Sequence, residues 1–172
     1  MRYAGLIKND IIDGIDGISV SLWMQGCPHH CKGCHNPQTW DFDGGIETSF
    51  ELLFKSVVEN MNSNGVKRNL SILGGEPLCE ENLKYTGDIV EKIKTQFPDR
   101  KIIVWTGYKY ETLMKNKRIR SVLKNIDYLI DGNFILEKRD ITLKLRGSSN
   151  QRIFKNNHRR YFVSFKDVTN II

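Results

Sequence analysis

Ile18-Ser19-Val20-Ser21-Leu22-Trp23-Met24-Gln25-Gly26-Cys27-Pro28-His29-His30-Cys31-Lys32-Gly33-Cys34 is the stretch on which the fold turns. Its first seven residues are rich in Ile, Val, Leu and Trp and read as a strand. The cysteines begin where that strand ends. Three thiols separated by three and then two residues make a loop that can wrap one compact metal centre. Thiolates are the usual protein ligands of iron-sulfur clusters, and a four-iron cluster wants four of them. This loop supplies three, so one iron is left open to another ligand, which points to chemistry at the cluster rather than electron storage alone.

Downstream, strand and helix signals alternate. Thr48 and Glu51 have the spacing of a capping box, and Leu53, Phe54, Val57, Val58 and Met61 recur at helical spacing until Asn64-Gly65. Asn69 to Leu73 reads as a short buried strand ending at Gly74-Gly75-Glu76-Pro77. Leu83, Ile89, Val90, Ile93 and Phe97 mark a second helical face, and Pro98 ends it. Lys101 to Thr106 is a third strand closed by Gly107. A helix with a break, around Leu113, Met114, Val122 and Leu123, leads to a fourth strand, Tyr128 to Ile130, before Asp131-Gly132-Asn133. Past Asn133 the helical rhythm fades, although Ile141 to Leu145 and Tyr161 to Phe165 look strand-like.

Such alternation implies βαβ units with right-handed crossovers and a largely parallel sheet. The expected fold class is therefore α/β. A closed eight-unit barrel needs about 250 residues, so 172 residues are expected to give a partial, open β/α barrel in one domain covering 1–172. Successive parallel strands end on one edge, where α/β sheets bind ligands. The cysteine loop, the Gly74 to Pro77 turn, Thr106-Gly107 and Asp131-Gly132 are expected to meet there.

With 26 Lys plus Arg against 20 Asp plus Glu, the formal charge is +6. The basic residues are spread out, with modest clusters at Lys115 to Lys124 and Lys155 to Arg160, so a solvated surface explains them better than nucleic-acid binding. An acidic protein partner is equally compatible. Met1 to Asp10 carries no secretory h-region, and no apolar stretch approaches the roughly 20 residues of a bilayer span. A cytoplasmic location is the expectation. Four cysteines in that compartment argue for metal or redox chemistry rather than disulfides.

Other readings of the cysteines remain open on spacing alone. Cys27, Cys31, Cys34 and His35, or a histidine between them, can make a closed Cys3His zinc site, as in a zinc-stabilised module that binds a protein or nucleic acid. Cys31 to His35 fits haem attachment, and Cys31 with Cys34 a thioredoxin-like dithiol, but both leave Cys27 without a role. Cys79 reads as a buried structural thiol, and Trp40 as packing. Thr106 and Asp131 are either polar contacts at the site or ordinary turn formers.

The three cysteines after the first strand and Gly74-Gly75-Glu76-Pro77 after the next resemble the radical-SAM superfamily. The run Trp23 to Trp40 is similar to the activating proteins of anaerobic ribonucleoside-triphosphate reductase. So are Val104-Trp105-Thr106-Gly107-Tyr108, Asp131-Gly132-Asn133-Phe134 and Arg146 to Arg152. The resemblance implies that Cys27, Cys31 and Cys34 hold a 4Fe-4S cluster whose open iron is chelated by S-adenosyl-L-methionine. One electron then releases methionine and a 5'-deoxyadenosyl radical, which takes hydrogen from a glycine of the large reductase subunit.

The resemblance also assigns the turn of Gly74, Gly75 and Glu76 to the methionine end of the cofactor, where the Glu76 carboxylate can accept from an ammonium group. Many superfamily members place an aromatic before the last cysteine, near the adenine. Gly33 stands there in this chain, so backbone contact at Gly33, beside Cys34 and His35, is the expected substitute. Thr106 and Asp131 are the remaining candidates for polar contacts to the cofactor at the same edge. No role for Arg146 or Arg152 follows from sequence. A flavodoxin-type or ferredoxin-type electron donor suits the low potential required. An activator of another glycyl-radical enzyme, such as pyruvate formate-lyase, would carry the same cluster and cofactor motifs.

Overall fold

A computed structural model describes residues 1–158 and 163–172. Eight strands form one mixed sheet in the order β3-β1-β2-β4-β5-β6-β7-β8. They are β1 (Arg2–Asp10), β2 (Ser19–Met24), β3 (Ile46–Glu47), β4 (Asn69–Gly74), β5 (Ile102–Trp105), β6 (Tyr128–Asp131), β7 (Arg152–Asn156) and β8 (Phe165–Asp167). The central four, β2, β4, β5 and β6, run parallel, with Met24 opposite Gly74, Ile72 opposite Val104 and Val104 opposite Leu129. Antiparallel strands flank them on both sides. The helices are α1 (Phe50–Asn62), α2 (Glu80–Gln96), α3 (Tyr110–Leu113) and α4 (Lys117–Leu123).

Period-two alternation divides the sheet into two unlike faces. Val20, Leu22, Leu70, Ile72, Ile102, Val104 and Leu129 point to one side. There they pack on Leu53, Val57 and Met61 of α1, on Leu83, Ile89, Val90 and Ile93 of α2, and on Val122 and Leu123 of α4. All three helices cover this face, each with one apolar stripe. The other face carries Ile103, Tyr128, Ile130 and Ile153, against Ile15 and Val168. Serines also lie on it, and they fasten chain rather than helix. Ser71 Oγ donates to Asp13 O at 2.6 Å and Ser21 Oγ to the Asp10 carboxylate at 2.7 Å. These bonds draw the turn after β1 across the sheet.

Several local details depart from the sequence reading. The cap of α1 is Ser49, whose side chain accepts from Leu52 N–H at 3.2 Å, one residue later than the Thr48/Glu51 box. Thr48 N–H is bonded to Met1 O at 3.0 Å, which extends the pairing of β1 with β3 up to the cap. The break in the third helical stretch has a definite cause: Asn116 Oδ1 accepts from Arg118 N–H at 2.9 Å and starts α4 afresh.

Ile141 to Leu145 is a turn, not a strand. Asp140 Oδ1 accepts from both the backbone and the hydroxyl of Thr142, and Leu145 takes a φ of +60°. Trp105 Nε1 donates to Leu145 O at 2.8 Å and holds this loop over the non-helical face. Of the strand expected at Tyr161 to Phe165, Phe165 opens β8. Its other residues that lie within 159–162, like Arg159 and Arg160 of the basic cluster, are outside the described residues.

Candidate cluster site

The parallel strands bring their C-terminal ends to one edge. The cysteine loop leaves β2, Gly74 to Pro77 leaves β4, Thr106-Gly107 leaves β5 and Asp131-Gly132 closes β6.

The loop is shaped by its own backbone. Gly26 N–H donates to Thr39 O at 2.9 Å and Cys27 N–H to Trp40 O at 3.0 Å, so the segment returning from the cysteines closes the loop at its base. Gly26 has a φ of +91°, and a Cβ there would lie 2.2 Å from the Phe42 ring. Gly33, at φ +74°, permits the tight turn in which Cys34 N–H donates to Cys31 O at 3.0 Å.

Cys27, Cys31 and Cys34 are all free and half-buried. Burial pushes the Cys27 thiol up to about 11, opposed by backbone N–H groups of His29 and His30. Burial likewise raises Cys31, opposed by a backbone N–H of Phe134. Asn36 N–H donates to Cys34 Sγ at 3.4 Å. Backbone donors aimed at sulfur are what iron-bound thiolates use, and iron would displace protons that burial otherwise holds on the thiols. The donor set therefore suits an iron-sulfur cluster.

The neighbouring histidines are engaged elsewhere. His29 Nε2 lies 2.9 Å from Glu76 Oε2. His30 stacks on Trp40 with centroids 4.9 Å apart, and His35 tilts against Phe134 at 5.2 Å. Among the described residues, no three His, Cys, Asp or Glu side chains gather around a single metal-ion position. A closed Cys3His zinc site requires that, whereas a cluster takes each thiolate on a different iron. Trp40 is a packing residue. Cys79 is buried at the start of α2, its thiol pushed up to about 12 chiefly by burial.

Glu76 joins the loops. It is 1% exposed, and all four lone-pair directions of its carboxylate are taken. Oε1 accepts from Leu78 N–H at 2.9 Å and Thr106 Oγ1 at 2.8 Å; Oε2 accepts from Gly107 N–H at 2.7 Å and meets His29. The side chain, expected from sequence to meet an ammonium group, ties the ends of β4 and β5 to the cysteine loop. Its backbone does the same, since Glu76 N–H donates to Gly26 O at 2.8 Å. The glycines follow from this closeness: a Cβ on Gly75 would sit 2.3 Å from Gly26 O, and one on Gly74 2.8 Å from Met24 N.

Asp131 is also buried and filled. It accepts from Tyr110 N–H at 2.6 Å and from Arg152, whose guanidinium also grips Glu111 through two bonds of 2.9 Å. Arg152 holds Glu111 down at about 2. Thr106 and Asp131 thus act here as fasteners of turns, and Arg152 gains a role that the sequence did not reveal.

Asn82 was also missed. From the first turn of α2 its amide donates to Gln25 O at 2.9 Å and to Glu76 O at 3.1 Å. The available signal was an amide beside Leu83 on the buried side of an otherwise charged helix start.

Two hollows open beside the loop. One of about 390 Å³ is lined by Cys34, His35, Trp23, Gly74, Trp105 and Arg146. A more polar cleft of about 850 Å³ runs past His29, Gly107, Tyr108, Asp131 and Lys138. Gly33 lines neither; a Cβ there would lie 2.8 Å from Leu136 Cδ1.

Three unpaired thiols on one loop, with amides directed at sulfur, suit a protein of the iron-sulfur class. Residues 12–154 match the family model described as a 4Fe-4S single cluster domain. The anaerobic ribonucleoside-triphosphate reductase-activating protein of Haemophilus influenzae is 37% identical over 156 residues, covering 90% of this chain and 98% of that protein. The protein of the same name from Vibrio cholerae is 36% identical over 90% of this chain and 98% of its own length. The one from Enterobacteria phage T4 is 35% identical over 91% and 95%. The chain belongs to the family of anaerobic ribonucleoside-triphosphate reductase-activating proteins.

Proposed function

We propose that this chain is a radical-SAM activase. It holds a 4Fe-4S cluster through Cys27, Cys31 and Cys34, cleaves S-adenosyl-L-methionine reductively, and leaves a glycyl radical in the large subunit of an anaerobic ribonucleoside-triphosphate reductase. One observation carries the reading: the cysteine loop is fastened to the Gly74–Pro77 turn through Gly26, His29 and Glu76. Three cysteines alone suit several metals. Joined to a glycine-rich turn at the ends of parallel strands, they suit a cluster whose open iron faces an amino-acid-bearing cofactor. When bound, cluster and cofactor supply the electron, the carbon-sulfur cleavage and the hydrogen abstraction.

The chain's own part is to hold and enclose. Gly33, Cys34, His35, Gly74, Gly75, Glu76, Thr106 and Asp131 form the proposed cofactor surround, with Glu76, Thr106 and Asp131 acting through the turns they fasten. Four parallel strands with helices on one face are compatible with a partial, open β/α barrel of the radical-SAM type, in one domain. A flavodoxin-type or ferredoxin-type protein is the proposed electron donor. Among the described residues no helix is long and apolar enough to cross a membrane, and free thiols suit a reducing cytoplasm.

The test is anoxic reconstitution, reduction, and addition of S-adenosyl-L-methionine with the reductase subunit. Formation of 5'-deoxyadenosine together with a glycyl-radical EPR signal is expected. A centre that yields no 5'-deoxyadenosine overturns the activity; cleavage without the glycyl signal overturns the substrate.

A further inference from the structure

Glu76 brings a negative charge to the cysteine loop in a place that water does not reach. Its side chain is 1% exposed, and its bonds from Leu78 N–H, Thr106 Oγ1 and Gly107 N–H all come from neutral donors. After burial itself, this charge is among the influences that push the Cys27 and Cys31 thiols up, so its field reaches both sulfurs. A low local dielectric makes such fields strong. The potential of an iron-sulfur cluster depends on the charge around it, and negative charge disfavours the reduced form, which is the more negative of the two.

Among the described residues no lysine or arginine pairs with Glu76. His29 alone does, with Nε2 2.9 Å from Oε2. An ionised carboxylate only accepts hydrogen bonds, which assigns the proton of this contact to the ring nitrogen. The ring is held from three sides. Its side chain is 13% exposed, it stands edge-on to Tyr108 with centroids 4.5 Å apart, and it covers Gly107, where an added Cβ would lie 2.4 Å from its Cδ2. His30 and His35, by contrast, rest on the rings of Trp40 and Phe134. His29 also lies between Cys27 and Cys31 in the chain, so its grip on Glu76 fixes that arm of the loop.

We propose that His29 is a positioning residue for reduction of the cluster: its Nε2–H ties the Cys27–Cys31 arm to Glu76 and screens that carboxylate, which keeps the cluster reducible by a low-potential donor protein. This rests on the functional reading above and adds which side chain sets the ease of reduction.

The experiment is an EPR-monitored redox titration of full-length, anoxically reconstituted protein without S-adenosyl-L-methionine. His29→Leu removes the donor but keeps the bulk. It should lower the reduced-to-oxidised ratio at a given potential about tenfold, which is about 59 mV for one electron. His29→Gln, whose amide can present an N–H near the same point, should recover most of that loss. Glu76→Gln removes the charge and should move the potential the other way, and in that background His29→Leu should add little. A wild-type potential in cluster-loaded His29→Leu overturns the proposal, as does a His29→Gln protein no better than His29→Leu. If His29→Leu takes up no iron, Glu76→Gln decides: a potential above wild type supports the proposal, and one at or below it overturns it. A wild-type protein that assembles no cluster overturns the functional reading and the His29 assignment together. The expected shifts without 5'-deoxyadenosine on adding S-adenosyl-L-methionine overturn the activity and leave the assignment standing.

Discussion

Replacing Glu76 by Gln tests whether this carboxylate fastens the site or waits for a ligand. In the folded protein it takes two backbone N–H groups, Leu78 and Gly107, the Thr106 hydroxyl and His29, while 1% exposed. Glutamine turns one acceptor oxygen into a donor. If the amide nitrogen faces Gly107 and His29, the Gly107 N–H is orphaned. If it faces Leu78 and Thr106, the Leu78 N–H is orphaned and the threonine hydroxyl must rotate. Either orientation leaves a buried donor unpaired, at about 1–3 kcal/mol. The remaining bonds lose their charge assistance, roughly another 1 kcal/mol. Glu76→Gln should therefore destabilise the protein by about 2–4 kcal/mol, a large part of the 5–15 kcal/mol typical of a domain. Anoxic urea unfolding of the metal-free chain, before and after substitution, measures it. The exposed Glu81→Gln, five residues on, should stay within about 0.5 kcal/mol. A loss below about 1 kcal/mol for Glu76→Gln would refute the fastening role and leave the carboxylate free for an ammonium group.

Two more predictions follow from other groups. Alanine at Cys27, Cys31 or Cys34 should each prevent stable iron-sulfur loading, whereas Cys79→Ala should retain both iron and 5'-deoxyadenosine formation; iron and sulfide analysis reads the difference. Asp13 is pushed up to about 6, first by burial and then by the Asp10 charge. Its folded value lies above the ordinary 3.8, so the folded protein binds this proton more tightly, and its ionisation costs stability above about pH 6 but not below about pH 4. Asp13→Asn should raise stability by up to about 2 kcal/mol at pH 7.5 and by little at pH 4. Unfolding midpoints showing the same gain at both pH values would count against it.

The central strands were legible because each carries an apolar run bounded by glycine or a polar turn. Ile18 to Met24 against the observed Ser19–Met24, and Tyr128 to Ile130 against Tyr128–Asp131, differ only at their ends. The flanks were not legible. Arg2-Tyr3-Ala4-Gly5-Leu6-Ile7-Lys8-Asn9-Asp10 is a strand through its pairing with β2, and its residues are mostly half-buried, so no clear apolar face shows in the sequence. Arg152–Asn156 likewise becomes a strand by pairing with β6. Ile141-Thr142-Leu143-Lys144-Leu145 alternates as a strand should, but Asp140 bends its start, and Ile141 stays outside the core. Within the site, the cysteine spacing was readable. The engagement of His29, Thr106 and Asn82 was not, because each reaches a partner set by the packing of separate strand ends.

That difference changes what the glycines mean. From sequence, Gly74 and Gly75 leave room for a ligand; in the fold, the space beside each is already filled by backbone at the end of β2. A ligand-driven glycine tolerates alanine in the unloaded protein, but a packing-driven one does not. At Gly75 an added Cβ would meet Gly26 O at 2.3 Å, in the same contact where Glu76 N–H bonds that carbonyl. The cysteine loop and the glycine turn therefore cannot separate without breaking backbone hydrogen bonds and the Glu76 contacts together. The distance from the cysteines to the turn is accordingly fixed by contacts within the folded chain itself, and holding reacting groups at a fixed separation is what lowers the ordering cost of a reaction.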